Sequence, residues 1–331
     1  MTKQPDKPET TFVRSDWASV QNVHRFAHQA MATTFEIIVQ HEDELYARQA
    51  SNAAFDELDR IETELSRYVE NSDVTRINHL PAGQPLPLGL ETFECLRLSQ
   101  QVYARTKGAF DVTVGFLLDC WRDEDKQPRV PTAEELRFAR AHTGMSNLRL
   151  DETRFTIELF ISPVRIDLGG VGKGYGVDRM ADLLREWDVE RALIHGGFSS
   201  VLALEAPQGM AGWPITLSDP HDRRRLLARL ELKRGAVSGS GVEKGQHIID
   251  PRVARPIEGK IAAWSLTPDA ATGDALSTAF MIMTPEEVKE YCTGHPPIRA
   301  LLIVPTETGG EQVIAAGPWR AQELLDGQQT P

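Results

Sequence analysis

The chain of 331 residues reads as an α+β protein, with mixed or antiparallel sheets and flanking helices. Three observations predict this. Helical and strand periodicities both occur, but they do not alternate as regular βαβ units. The segments WPITLSDP, LLARLELKRGAVSGSG and HIIDPRVARPIEG follow one another as strands and hairpin arms of one sheet. No repeat, low-complexity run or linker divides the chain, so a single interlocked unit with two lobes is expected.

Taken in order, residues 1–22 are polar and proline-containing and read as a flexible N-terminal arm; a single domain over 23–331 follows. Phe35, Ile37 and Val39 alternate in TTFEIIVQ, a strand preceded by Met31. That methionine is either core filler or part of a site. Asp43 to Leu65 is a helix, with Ala47, Ala50, Ala54, Leu58, Ile61 and Leu65 at helical spacing. Asn71, Ser72 and Asp73 make a turn beyond it. Tyr68 stands beside that turn, where an aromatic ring can stack on a planar ligand or close the core.

Leu90 to Thr106 is a second helix, stopped by Lys107-Gly108. Ala109, Phe110 and Asp111 follow at once. Asp111 opposes the helix dipole there, which suits either a ligand role or a turn cap. Arg122 to Pro131 is a surface loop, and Thr132 caps a short helix to His142. LRLDETRFTIEL is a hairpin, Tyr175 to Trp187 a helix, and RALIHGGFSS a strand entering the turn Gly196-Gly197. GDALSTAFMIM is a helix, and Ala300 to Val304 a last buried strand.

The composition is 41% hydrophobic and 25% charged, ordinary for a soluble globular protein. The net charge of −12 argues against extended nucleic-acid or anionic-membrane binding. An anionic ligand would need a local cation. Cys95, Cys120 and Cys292 form no CxxC pair, so neither a disulfide framework nor a zinc site is expected, and a reducing compartment fits. No apolar run reaches membrane-spanning length, and the sequence as written shows no signal peptide or lipid-attachment cysteine. A cytoplasmic location is the expectation.

The most pointed stretch is Val164 to Arg179, VRIDLGGVGKGYGVDR. Five glycines within eight residues imply a close approach to the backbone. Lys173 adds a cation and Asp167 a carboxylate, a combination suited to phosphate held with a metal. Neither common phosphate motif fits. The G-x-G-x-x-G spacing fails at Tyr175 or Val177, and a P-loop would need Gly where Asp167 stands. In GDALSTAF, Asp274 and Thr278 share a helix face, offering two hard oxygens suited to magnesium; Asp274 as a helix-start partner is the plainer alternative. His247 and Asp250 in HIIDPR can form a general acid/base pair or a surface pair. HExxH and G-x-S-x-G are both absent.

The segments MATTFEI, SRYVENSDVTRIN, GAFDVTVG, IDLGGVGKGYGVDR, HIIDPRVARPIEG and GDALSTAF occur together and in order. In this the chain resembles the FAD:protein FMN transferases, the ApbE family, over roughly residues 31–280. The resemblance implies an ApbE-type, T-fold-like domain that binds FAD and Mg²⁺ and passes FMN to a threonine of a target protein bearing a D-x-x-T segment, with release of AMP. It further implies flavin-nucleotide contacts at Met31, Tyr68, Ala109, Phe110 and Asp111, and cofactor contacts at Asp167, Lys173 and Asp178. Magnesium ligands are implied at Asp274, Thr278 and the Gly170 carbonyl, and His247 as the group assisting deprotonation of the acceptor.

The chain departs from the family pattern at Gly172, where Ala is usual, at Phe198, which takes an acidic place, and in the shortened hairpin SGSGVEKGQ. Many members are exported, unlike the expectation here. Asp269-Ala270-Ala271-Thr272 partly matches the acceptor pattern, which raises self-modification at Thr272. Two other activities share the same sites: Mg²⁺-dependent FAD pyrophosphatase, and flavin binding without turnover.

Overall fold

The computed structural model describes residues 12–123, 125, 127–242, 248–306 and 308–325. Strand β1 (Val13–Ser15) is followed by the hairpin β2 (Val23–Ala30) and β3 (Thr33–Gln40). Helices α1 (Glu44–Leu65) and α2 (Asp73–Asn78), strand β4 (Pro85–Pro87) and helices α3 (Leu90–Arg105), α4 (Gly115–Cys120) and α5 (Ala133–Ala141) come next. The hairpin β5 (Leu148–Asp151) and β6 (Thr156–Leu159) leads to α6 (Gly172–Glu186). Strands β7 (Ala192–Gly196), β8 (Ser200–Ala203), β9 (Trp213–Ser218), β10 (Leu226–Leu232) and β11 (Gly235–Gly241) follow, then the pair β12 (Ile249–Asp250) and β13 (Arg255–Pro256). The chain continues through β14 (Ala262–Thr267), α7 (Ala270–Ile282), α8 (Pro285–Gly294), β15 (Arg299–Pro305) and β16 (Glu311–Ala316).

Eight strands form one antiparallel sheet in the order β16-β15-β14-β11-β8-β7-β3-β2. Strand alternation sorts its side chains to two faces. Phe35, Ile37 and Val39 meet Ala50, Ala54 and Leu58 of α1 and Val177 and Met180 of α6 on one face. Ile38, Val237, Trp264 and Leu301 point the other way, against Trp213, Ile215 and Leu230 of a small sheet, β1-β9-β10. A further core joins Ala275, Leu276 and Phe280 of α7 to Phe93, Leu96, Ile157 and Ile166 of the smaller lobe. Helix α7 therefore belongs to both lobes and interlocks them.

Nearly every residue of α7 is buried, and Ala, Gly and Ser in AATGDALSTAFMI let neighbours approach closely. Its N-terminal N–H groups are taken by carboxylates. Asp178 of α6 accepts from Ala270 and Ala271 at 2.8 Å each, and Asp269 accepts from Thr272 at 2.7 Å. In return, Asp274 of α7 accepts the N–H of Gly174, in the first turn of α6, at 3.1 Å. Each helix thus supplies a carboxylate to the other's N-terminus. Beyond the far end of α7, the buried Lys260 ammonium donates to the carbonyls of Met281 and Met283. Burial lowers its pKa to about 8.

Several expectations are corrected. Helix α6 begins at Gly172, not Tyr175, so Gly172, Gly174 and Gly176 lie within it. What approaches two of them is protein. A Cβ at Gly174 would overlap the Ala270 carbonyl and lie 2.8 Å from Asp274 Cβ, and one at Gly176 would lie 2.7 Å from Leu58. Helix α7 begins at Ala270, so the D-x-x-T match forms its start, with Asp269 as N-cap and Thr272 buried in the first turn. Strands β9 and β10 leave the main sheet, so the three segments from Trp213 onward do not form one sheet. The turn at Gly235, with φ +115°, carries the chain from the small sheet into the large one. Helices α2 and α4, six residues each, are too short to show a period. Residues 12–22 are not a loose arm: Phe12, Val13 and Val20 are buried in the core between the sheets.

Strand β1 covers His195 of β7, which is buried and has Ser15 Oγ 2.9 Å from Nε2. Burial pushes its pKa from 6.5 down to about 4. The folded chain therefore holds the neutral ring, and this contribution to stability is complete above pH 6.5 and is lost as pH falls through about 4. Urea midpoints should fall more steeply over that window in the wild type than in His195→Gln; parallel profiles would refute this. Gly174→Ala should destabilise by about 1–3 kcal/mol through overlap with Ala270. An unchanged urea midpoint would show that the helices can separate freely.

Candidate active site

Two chambers of about 660 Å³ and 520 Å³ open beside the N-terminal end of α6. They share Phe12, Arg67, Tyr68, Asp167, Gly169, Lys173 and Ser199, which form a waist between them. The larger chamber continues along Ala109-Phe110-Asp111, Gly170, Ser240, Asp274 and Thr278. The smaller is walled by Met31, Ala32, Thr33, Leu65, Gly197 and Phe198.

Local structure explains how each side chain arrives. Met31 and Ala32 form the β2–β3 turn with φ of 49° and 58°, positions that usually take Gly or Asn. The turn directs Met31 to the chamber wall and also against α6, where its Cε would meet a Cβ at Gly176 at 3.4 Å. Met31 therefore packs against α6 and lines the smaller chamber at once. Tyr68 does not close the core: it is 76% exposed, with the Arg67 guanidinium 5.0 Å from its ring and donating to its hydroxyl at 3.0 Å.

Helix α3 ends through Lys107 and Gly108, both at positive φ, and the Phe110 N–H returns to Thr106 Oγ1. Asp111 then accepts from the Thr113 N–H at 2.8 Å and hydroxyl at 2.6 Å. It is both a turn cap and a chamber residue. Burial pushes its carboxyl up to about 6 despite those donors.

Asp274 is 3% exposed and reaches Lys173 Nζ at 3.5 Å. The Thr278 hydroxyl stands one turn further along α7, and a Cβ at Gly170 would lie 3.3 Å from it. Ser240 of β11, which the sequence did not suggest, has its hydroxyl 2.8 Å from Ser277 Oγ and 3.5 Å from Thr278 Oγ1. Among the described residues no three His, Cys, Asp or Glu side chains cluster for a metal. The set is one buried carboxylate with neutral oxygens, a donor chemistry that fits a hard divalent cation completed by phosphate and water oxygens.

At the waist, Asp167 accepts the Gly169 N–H at 2.8 Å and pairs with Arg67 at 3.2 Å. Arg67 lies 3.9 Å from Asp119, which also pairs with Arg165. Two cations, Lys173 and Arg67, therefore face one junction. Arg67 lies in the segment SRYVENSDVTRIN, but nothing in that segment marks it as the partner of Asp167 and Asp119.

Asp178 is the clear misplacement. Its carboxylate caps α7 and lines a separate cavity on the other side of the helix pair. Burial and the nearby Asp269 push it up to about 7. His247 lies outside the described residues.

An α+β fold with a two-chambered pocket and cations at its waist fits an enzyme that handles an elongated anionic ligand. A sequence profile of the ApbE family matches residues 31–302, and the chain belongs to that family. A Klebsiella pneumoniae protein named FAD:protein FMN transferase is 28% identical over 281 residues, 79% of each chain. One of that name from Escherichia coli K12 is 28% identical over 253 residues, 71% of each. The solved flavin transferase ApbE of Vibrio cholerae superposes with a TM-score of 0.77 at 26% identity, covering 89% of this chain and 97% of that one. The ApbE protein of Thermotoga maritima gives 0.77 at 28% identity, covering 88% and 96%.

If Asp178 is a cap, Asp178→Ala should lower stability by about 1–2 kcal/mol in urea denaturation. A variant of wild-type stability that has lost flavin affinity would return Asp178 to the ligand contacts.

Proposed function

We propose that the protein transfers the FMN half of FAD to a threonine hydroxyl of a target protein carrying a D-x-x-T segment, releasing AMP. The observation that carries this reading is the position of Lys173, at the waist of two chambers and 3.5 Å from the buried Asp274. FAD has two ring systems joined by a pyrophosphate, and such a ligand would span two chambers with its charge at the waist.

In the reaction the threonine oxygen bonds to the FMN phosphorus as the P–O bond to AMP breaks. The hydroxyl proton goes to a base, the role the resemblance gives to His247, and AMP leaves with the bridging oxygen. Asp274, Thr278 and the Gly170 carbonyl would hold Mg²⁺, which when bound neutralises phosphate charge and polarises the phosphorus. Lys173 and Arg67 stabilise charge growing on non-bridging oxygens at the junction of the chambers. Tyr68 and Phe110 offer ring faces or edges to the bases. In a chain of net charge −12 these local cations are what admit a pyrophosphate.

Incubation with FAD and Mg²⁺, with and without a D-x-x-T-bearing protein, tests the reading. AMP release that requires the acceptor and adds the mass of FMN to it is expected. Release without acceptor would indicate hydrolysis, and no release would indicate binding alone. Asp274→Ala should lower the rate by about 100-fold or more; unchanged AMP release would remove Asp274 from the metal site.

A further inference from the structure

The glycines flanking Ser240 have no role in the proposed chemistry, yet their surroundings are specific. A Cβ at Gly239 would lie 2.7 Å from Phe12 Cβ, and a Cβ at Gly241 would lie 2.7 Å from the Phe12 ring. The N-terminal segment crosses β11 at these two residues because nothing larger fits beneath it. Four contacts fix the crossing. The N–H groups of Phe12 and Val13 donate to the Phe198 carbonyl at 3.0 and 3.3 Å. The Phe12 carbonyl accepts from Trp264 Nε1 at 2.9 Å, and the two rings meet edge to face at 6.3 Å. Val13 to Ser15 then pair with β9.

Phe12 is thus built in rather than draped over the surface, and it lines both chambers. It lies outside residues 31–302, the span the family profile matches. Its anchor is the carbonyl of Phe198, one of the positions at which the chain departs from the family pattern.

We propose that Phe12 is a ligand-selecting residue that partitions the two chambers and favours a dinucleotide occupying both over a mononucleotide confined to one. This rests on the reading of the pocket as an FAD site. A ligand spanning the waist passes the aromatic ring, whereas one held in a single chamber meets at most one side of it. Phe12 should therefore act on affinity and KM for FAD more than on kcat.

The test measures dissociation constants of the full chain for FAD and FMN by flavin fluorescence, and for AMP by competition. Phe12→Ala should weaken FAD about tenfold, the scale of one lost aromatic contact with its burial, and FMN or AMP less than about threefold. Phe12→Leu keeps an apolar filler against Trp264 and should narrow the FAD preference by at least about threefold; it decides the matter should Phe12→Ala fail to fold. Equal weakening of all three ligands would reduce Phe12 to a structural residue, and unchanged affinities in either folded variant would overturn the proposal. A wild-type chain that does not bind FAD would refute the functional reading instead.

Discussion

The reciprocal exchange of carboxylates between α6 and α7 is the constraint on which the rest of the structure depends. Asp178 of α6 satisfies the first N–H groups of α7, and Asp274 of α7 satisfies Gly174 of α6. Both interactions place negative charge at a helix N-terminus, where orphan donors and the dipole favour it. They also lock the relative depth of two helices that carry the main charged groups of the site. Lys173 and Gly170 belong to one side of that lock, and Thr278 to the other. The glycines make the lock possible, because only a bare backbone at Gly174 lets Ala270 come so close.

This arrangement makes Asp274 serve two ends. It holds α6 in place and faces Lys173 within the chamber. A buried carboxylate with one N–H and one distant ammonium retains acceptor capacity toward the chamber. The neighbouring hydroxyls of Ser240, Ser277 and Thr278 are neutral and add oxygen donors beside Asp274 without adding charge. A flavin transferase must bring a pyrophosphate into a protein that is acidic overall. Lys173 beside Asp274, and Arg67 beside Asp167 and Asp119, offset the carboxylates that line the pocket.

The sequence conveyed the parts of this site that are local in the chain. Asp274 and Thr278 share a helix face at any helix start, and Lys173 stands out among glycines. The turn Ala109-Phe110-Asp111 follows from a helix stop that composition marks clearly. What could not be read was which partner each residue meets across the fold. A run of glycines serves a helix crossing as readily as a phosphate bed, and the placement of Ala270 and Leu58 assigns Gly174 and Gly176 to the crossing while Gly169 and Gly170 line the pocket. Asp178 shows the same ambiguity, since a carboxylate in a helix carries no mark of whether it faces a ligand or a neighbouring helix. Phe12 and Arg67 were invisible for a related reason: their roles come from contacts over long sequence separations, such as Phe12 with Trp264. The expected single sheet failed because the turn at Gly235 redirects the chain, and a short turn does not state whether it folds a strand back or carries it to another layer.

The burial of α7 has a consequence for the time course of ligand capture. Its N-terminus is held by Asp178 and Asp269, the carbonyls near its C-terminus by Lys260, and its flanks lie in the core of both lobes. Segments of this kind open only with the whole domain, so the oxygen cluster is preorganised before any substrate arrives. A ligand that meets this cluster then loses little entropy in ordering it. The outer wall at the exposed Tyr68 contrasts with this buried centre, and any adjustment to an arriving ligand falls to that wall rather than to the oxygen cluster.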